Sequence, residues 1–336
     1  MQDSATISET DLELIHALQL SPRVTWNRLS PILGTDPVTL ARRWQRLSGL
    51  GIARITAHSS APLSNDNVVA HVQIACLLGD ATPLAELLAR DRNVFTLHLS
   101  SGTFPIVMIL ASRNLEHLTQ YLTERIGRLP GVSAVRTHIQ TSLLIDGSSW
   151  ELRALSHGQR SRIVSLPSLG SERRASPPQG LDAKVFEILM ADGRTSYANI
   201  ARELDLSLST ARRRVDQLLA TKSITLRCDV ARHALGWPVA AYLHARLQGP
   251  IEPFVARLRR DVPEIRVFTT SASADALHLY LWLRNITDLP RVESDITAIV
   301  PDMVFGARSI MLRTVKQVGH LQDSMGRSTE IIPTRV

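Results

Sequence analysis

Two short stretches of this chain concentrate side chains suited to holding a polyanion. Residues 39–43 read Thr-Leu-Ala-Arg-Arg, and residues 210–214 read Thr-Ala-Arg-Arg-Arg. Arginine carries a planar fork of donors that pairs bidentately with a phosphate or with the O6/N7 edge of guanine. In the first stretch Leu40, Trp44 and Leu47 recur at helical spacing; in the second Ala211, Val215 and Leu218 do. Burying those residues leaves Val38 and Arg42 facing outward, with Thr39, Arg43 and Arg46 on one flank. The second stretch offers Ser209 and Arg213, flanked by Thr210, Arg214 and Gln217, with Arg212 where the first has Ala41. Small residues at the start of an exposed helix, followed by arginines, suit insertion into the major groove of double-stranded DNA. A solvated basic face is the alternative for one such helix. Its recurrence in a second helix–turn–helix frame favours DNA.

The two stretches are equivalent positions of an internal repeat. Shifted by 171 positions, residues 10–53 lie over 181–224 without a gap: Asp11 over Asp182, Leu18 over Leu189, Arg23 over Arg194, Leu33 over Leu204. The register returns where Leu129-Pro130 meets Val300-Pro301. A repeat of this length is a duplicated domain-sized module. Each copy begins with three predicted helices: Asp11–Leu20, Thr25–Ile32 and Asp36–Ser48, then Asp182–Met190, Ser196–Leu204 and Ser207–Ala220. Thr25, Asp36, Ser196 and Ser207 are placed as N-caps, Pro37 at a first-turn position, and Gly34 or Asp205 in the turn before the third helix. The extended segments Ala53–Thr56 and Ile224–Arg227 follow as wings, which makes Arg54 and Arg227 expected phosphate contacts.

The second part of each copy alternates strands and helices. Copy one predicts strands at Val68–Leu77, Val94–Ser100, Pro105–Ala111 and Val132–Leu143, with helices at Pro83–Arg90 and Asn114–Arg128. Copy two predicts Val239–Leu247, Glu252–Arg260, Ile265–Thr270, Ala276–Leu283, Asp288–Val300 and Val304–Val315 in the same order. The order β-α-β-β-α-β is that of a ferredoxin-like unit. The expected fold class is therefore α+β: two tandem modules, each a winged helix-turn-helix followed by a ferredoxin-like effector or oligomerisation domain. The expected boundaries are 1–60 and 181–230 for the winged heads, and 66–144 and 236–316 for the ferredoxin-like domains. The Ser-, Pro-, Gly- and Arg-rich stretch 145–180 reads as a flexible linker, and 317–336 as a partly disordered tail. A four-stranded sheet with both helices on one face leaves its other face needing cover, which a second such sheet would supply.

Composition narrows the partners. The net charge of +7 fits a polyanion. No run approaches the ~18 apolar residues of a membrane helix, and the N-terminus is polar and acidic, unlike a signal peptide. Cys76 and Cys228 occupy non-equivalent places in the two copies, which argues against a duplicated metal site or disulfide framework. No cofactor, metal or membrane partner is expected, and the location is expected to be cytoplasmic.

The ordered set of motifs resembles the Lrp/AsnC (leucine-responsive, feast/famine) transcriptional regulators. In copy two it is carried by Leu181-Asp182, Asp192-Gly193-Arg194-Thr195-Ser196-Tyr197, Ala201, Leu206-Ser207-Leu208-Ser209-Thr210, Arg213-Arg214-Val215, Leu218 and Leu235-Gly236-Trp237-Pro238-Val239. In copy one it is carried by Asp36-Pro37, Thr39, Arg42-Arg43, Leu47, Gly51 and Leu129-Pro130-Gly131-Val132. The resemblance covers roughly 10–144 and 181–315, and the tandem arrangement departs from the usual one-module chain. It implies a DNA-binding regulator that is not an enzyme, modulated by an amino-acid-like small-molecule effector and assembled as a dimer or larger homo-oligomer. The family's Gly-x-x-Asp segment between the second and third strands survives only in part: Gly102 stands without its Asp, Pro105 taking that place, and Asp275 without its Gly, Ala272 taking that place. Gly102 and Asp275 are accordingly the candidate effector contacts. The same architecture also resembles sirohaem decarboxylases, which pair two such modules. That alternative would place a histidine near the second strand, where His98 lies and reads as a sheet residue.

Overall fold

The computed structural model describes residues 7–59, 63, 67–166 and 178–334. In chain order they form α1 (Glu9–Leu20), α2 (Trp26–Leu33), α3 (Pro37–Gly49), β1 (Ala53–Ser59), β2 (Val68–Cys76), α4 (Leu78–Ala89), β3 (Val94–Ser100), β4 (Ile106–Ser112), α5 (Leu115–Gln120, continued by a π-helical turn to Ile126) and β5 (Val132–Ile145). Then come α6 (His157–Val164), α7 (Leu181–Ala191), α8 (Tyr197–Glu203), α9 (Leu208–Ala220), β6 (Ile224–Val230), β7 (Val239–Arg246), α10 (Glu252–Asp261), β8 (Ile265–Ser271), β9 (Leu277–Leu283), α11 (Leu289–Ile299), β10 (Val304–Gln317), β11 (His320–Gln322) and β12 (Ser328–Ile331). The fold is α+β. Among the described residues no helix is long and apolar enough to cross a membrane. The chain divides into two compact units, Met1–Pro62 with Glu151–Leu235, and Leu63–Trp150 with Gly236–Val336. Like parts of the two copies thus gather in one unit, an arrangement that the chain order of the expected domains does not convey.

The first unit holds α1–α3 and α7–α9. Asp36 caps α3 by accepting from the Thr39 N–H, and Ser207 caps α9 by accepting from the Thr210 N–H. Ser196 caps α8, whereas Thr25 occupies the N-cap of α2 without a side-chain bond. The turns before α3 and α9 need left-handed backbone, which Gly34 (φ +65°) and Asp205 (φ +53°) supply. Strands β1 and β6 then pair antiparallel with Thr56 opposite Arg227. These two positions are 171 apart, so the pairing is symmetric about a local twofold. The loops before α2 and α8 repeat that symmetry. Arg23 donates to the Gly193 and Thr195 carbonyls, and its equivalent Arg194 donates to those of Pro22 and Val24. Arg23 also lies 5.0 Å from the Tyr197 ring and Arg194 4.0 Å from the Trp26 ring. Gly193 is needed for close approach, because a Cβ there would stand 2.6 Å from Ile55 Cγ2.

This pairing corrects the reading of the wings. Arg54 and Arg227 are buried, not presented to phosphate. Arg227 donates twice to Asp229 Oδ1 at 2.6 and 2.9 Å, and Arg54 Nη2 stands 3.6 Å from Asp229 Oδ2. A guanidinium covered by strand pairing needs a carboxylate partner, and Asp229 is that partner. The linker reading is corrected too. Within 145–180, Ile145 ends β5 and residues 157–164 form α6, capped by the Ser156–Gln159 box. Its anchors are few but specific: Ile163 is buried, Arg160 holds Glu151 bidentately, and Arg162 donates to the Pro31 carbonyl. Arg173 and Arg174 lie outside the described residues.

The second unit is a ring of strands. The order β10-β3-β4-β2-β5-β8-β9-β7 closes through β7–β10, and β11 and β12 extend it as a hairpin beside β10. The tail expected to be partly disordered therefore forms two short strands, His320–Gln322 and Ser328–Ile331. Two fourteen-residue strands close the ring. The first part of β5 pairs with β2 and its last six residues with β8, while β10 pairs first with β7 and then with β3. One strand face packs on α4 and α5 in one half and on α10 and α11 in the other, each over its own apolar cluster.

Arg194→Ala should destabilise the first unit by about 2–3 kcal/mol, because two carbonyls and one ring contact lose their cation. Urea unfolding measures it; an unmoved midpoint would show that the reciprocal arginines do not hold the two heads.

Candidate functional site

The third helices are built as expected on their buried sides: Leu40, Trp44 and Leu47 in α3, and Ala211, Val215 and Leu218 in α9. The opposite faces present Val38, 77% exposed, with Arg42, and Ser209 with Arg213 and Arg212. Thr39 and Thr210 are half-buried beside their caps. The flank arginines behave differently. Asp11 is 1% exposed and takes both Arg43 at 3.0 Å and Arg46 at 2.6 Å. Burial pushes the Asp11 carboxyl up, but the Ser8 N–H, Arg43 and Arg46 hold it below its ordinary value. Among the described residues its equivalent Asp182 takes Arg214 alone, at 3.3 Å. Arg212, 70% exposed, stands 3.5 Å from Asp216. Arg42, Arg212 and Arg213 are thus the most presented cations on these helices, whereas Arg43, Arg46 and Arg214 are partly committed to a neighbouring carboxylate.

The inner face of the strand ring is polar and aromatic. Strand β9 shows how: Leu277, Leu279, Leu281 and Leu283 pack in the apolar cluster, while His278, Tyr280 and Trp282 alternate onto the other face. There His278 meets His71, from β2, with ring centroids 4.9 Å apart, and Tyr242 stacks on Tyr280 at 4.4 Å. His71 Nδ1 meets the Tyr280 hydroxyl at 3.2 Å, and its Nε2 meets Gln140 and Thr269. His278 is bonded by Tyr242 at 2.7 Å and by Ser271 at 2.6 Å. His98 meets Thr314 at 3.1 Å. His138 and His244 complete the cluster at 5.2 Å from each other. Both are buried, and His138 Nδ1 and Nε2 and His244 Nε2 have no hydrogen-bond partner among the described residues.

Burial favours the neutral imidazole at His71, His138, His244 and His278. It brings His71 down to about 3, His278 to about 2 and His244 to about 4, and neighbouring histidines add to the shift. Burial and Arg136 lower His138 as well. Asp275 acts on His138 and His244 in the opposite sense and lies against Gly306, where a Cβ would stand 3.5 Å from its Oδ1. Gly102 is exposed at φ +90°, in the loop equivalent to that of Asp275. The Ser101 N–H bonds the Ile310 carbonyl in one loop and the Ala272 N–H bonds the Ile139 carbonyl in the other, so Gly102 and Asp275 belong to two related places and not to one. Sequence reasoning missed His71, His138, His244, His278, Tyr242 and Tyr280. The available signal was a strand such as Leu-His-Leu-Tyr-Leu-Trp-Leu, whose polar residues alternate within a segment buried on both faces.

Residues 180–219 match the AsnC-type helix-turn-helix domain and residues 69–150 match the Lrp/AsnC ligand binding domain. An uncharacterised HTH-type transcriptional regulator of Pyrococcus furiosus is 26% identical over 142 residues, covering 41% of this chain and 93% of the relative. An HTH-type transcriptional regulator of Mycobacterium tuberculosis is 28% identical over 138 residues, covering 37% of this chain and 92% of the relative. Among solved structures, the siroheme decarboxylase NirDL shares the fold over 93% of both chains, with a TM-score of 0.59 and 12% identity. The chain thus carries an AsnC-type helix-turn-helix domain and an Lrp/AsnC ligand binding domain, and it is similar to HTH-type transcriptional regulators.

Proposed function

We propose that this chain is a tandem two-module regulator that grips double-stranded DNA with both α3 and α9 and is modulated by one small effector held inside the strand ring. The observation that carries the reading is the pair of equivalent helices, each with exposed arginine behind small residues, held in one unit by β1–β6 and the Arg23 and Arg194 contacts. Val38, Thr39 and Arg42 on one helix, and Ser209, Thr210, Arg212 and Arg213 on the other, are the direct contacts. Arg43, Arg46 and Arg214 serve the DNA only by leaving their acids. The effector belongs with His138, His244 and Asp275, where unpartnered imidazole nitrogens offer donors or acceptors to an amino-acid-like metabolite; an eight-stranded ring has room for one small ligand at most. One chain already pairs its heads, so a homo-oligomer would be built of whole chains. Exposed Val135, Ile139 and Leu143 on β5 and Leu312 on β10 give such contacts an apolar surface. The protein would act in the cytoplasm, as a binder and not a catalyst.

A decarboxylase acting on a tetrapyrrole is the second reading, favoured by the shared fold and the histidine-lined interior. The residues fit a macrocycle poorly. His71 and His278 spend both ring nitrogens on neighbours, and the rings lie in direct contact. Tetrapyrrole absorbance co-purifying with the protein would support it; colourless protein that retards operator DNA would not.

Replacing Arg42 and Arg213 by Ala should cost about 1–3 kcal/mol for each guanidinium that contacts a base, read by fluorescence anisotropy on a selected operator. Unchanged affinity of the folded double variant would remove these helices from the interface.

The interior histidines set a pH dependence. Below their ordinary value of 6.5 the unfolded chain takes up protons that the folded ring refuses until about 4, 3 or 2. Stability should therefore fall as pH falls from 6.5 towards 4, by about 1.4 kcal/mol per pH unit for each histidine kept neutral. His278→Gln should flatten the profile. Equal stability of the ring unit at both ends of that window would contradict burial of neutral imidazoles.

A further inference from the structure

We propose that one chain reads one operator with two unlike half-sites, gripping the half under α9 more strongly, so that the protein sits on DNA in a single orientation. This rests on the DNA-reading function proposed above.

The backbone frame of the head unit is symmetric. The β1–β6 register centres on Thr56 and Arg227, and the Arg23 and Arg194 contacts are reciprocal. Two helices related in this way address two half-sites on one duplex, as the reading helices of a dimer do. The side chains on that frame are not symmetric. Val38 offers methyl groups that suit a thymine methyl, whereas Ser209 offers a hydroxyl that donates to or accepts from a base edge. Ala41 becomes Arg212, and Arg46 becomes Gln217.

The restraints on the cations differ as well. Asp11 is buried and draws Arg43 onto Oδ1 and Arg46 onto Oδ2, where the Ser8 N–H and hydroxyl also donate. Asp182 is 25% exposed and holds Arg214 alone. The α3 side therefore has two flank arginines tethered to one carboxylate, and releasing both would leave Asp11 buried without a counter-ion. The α9 side has Arg213 presented, Arg212 70% exposed though 3.5 Å from Asp216, and Arg214 held at 3.3 Å by a partly exposed acid. Among the described residues the α3 head has a further brace. His16 Nδ1 accepts from the Ala154 and Leu155 N–H groups, His16 Nε2 meets Glu151 at 3.1 Å, and α6 lies on α1 and α2. A stiffened head with tethered arginines adapts less to phosphate than its partner head.

The test uses the full chain. Selection from random duplexes with wild-type protein should yield a site whose two arms differ. That site should bind at least about tenfold more tightly than either palindrome built by repeating one of its arms. The palindrome of α9-side arms should be the tighter of the two. Orientation is read independently by attaching a DNA-cleaving chelate at Asn27→Cys or at the equivalent Ala198→Cys, both exposed on the first helix of their turn motifs, in a Cys76→Ser, Cys228→Ala background. Each conjugate should cut one flank, and the two should cut opposite flanks. A perfect palindrome as the selected site, or equal cutting of both flanks by each conjugate, overturns the asymmetry while leaving DNA reading intact. Selection of no sequence at all overturns the DNA-reading function beneath it.

Discussion

Two fourteen-residue strands, each shared between the copies, govern the rest of this molecule. A strand with an unpaired edge exposes a row of backbone donors and acceptors. Neither copy removes its own edges: β5 gives its last residues to β8 of the other copy, and β10 gives its last residues to β3. The equivalence is close, since Gln140 opposite Ser271 recurs 171 residues away as Met311 opposite Ser100. Closing the ring fixes which faces are buried. The helices cover one face, and the other turns inward, where ordinary apolar packing is replaced by histidine, tyrosine and threonine.

A symmetric frame within one chain permits what two identical chains forbid, divergence between related positions. Along the inner face, His71 is matched by Tyr242, His244 by Gln73, His278 by Val107, Tyr280 by Ile109 and His138 by Ser309. The cluster with unpartnered imidazole nitrogens therefore occurs once, beside Asp275, and the related place near Gly102 lacks it. The head unit shows the same pattern. Reciprocal arginines and symmetric strand pairing keep the backbone alike, while the side chains exposed on α3 and α9 and the acids beside them differ. The family matches reflect it too, the helix-turn-helix being recognised in copy two and the ligand binding domain in copy one.

Much of this was legible in the sequence where local rules act alone. Capping by Asp36 and Ser207, the left-handed turns at Gly34 and Asp205, and the buried stripes of α3 and α9 follow from short-range sterics and helical period. What escaped depends on contacts far apart in the chain. Arg54 and Arg227 look like phosphate ligands until β1 and β6 cover them and both turn to Asp229. The 145–180 stretch has a linker's composition, and only the burial of Ile163 and the pairing of Arg160 with Glu151 reveal α6. The histidines sit on five strands at wide separations, so no spacing rule could gather them. The long strands that bring them together were visible only as two more strands.

The proposal that one chain supplies a complete pair of DNA-reading heads is open to direct test. The most direct measurement is the mass of the smallest sequence-specific complex, by native mass spectrometry on a duplex carrying both half-sites, together with the affinity of that duplex after one half-site is scrambled. One chain per duplex is expected, with affinity falling by at least about tenfold on scrambling either half. Two chains per duplex, each engaging a single half-site, or a scrambled duplex that binds as tightly as the intact one, would contradict it.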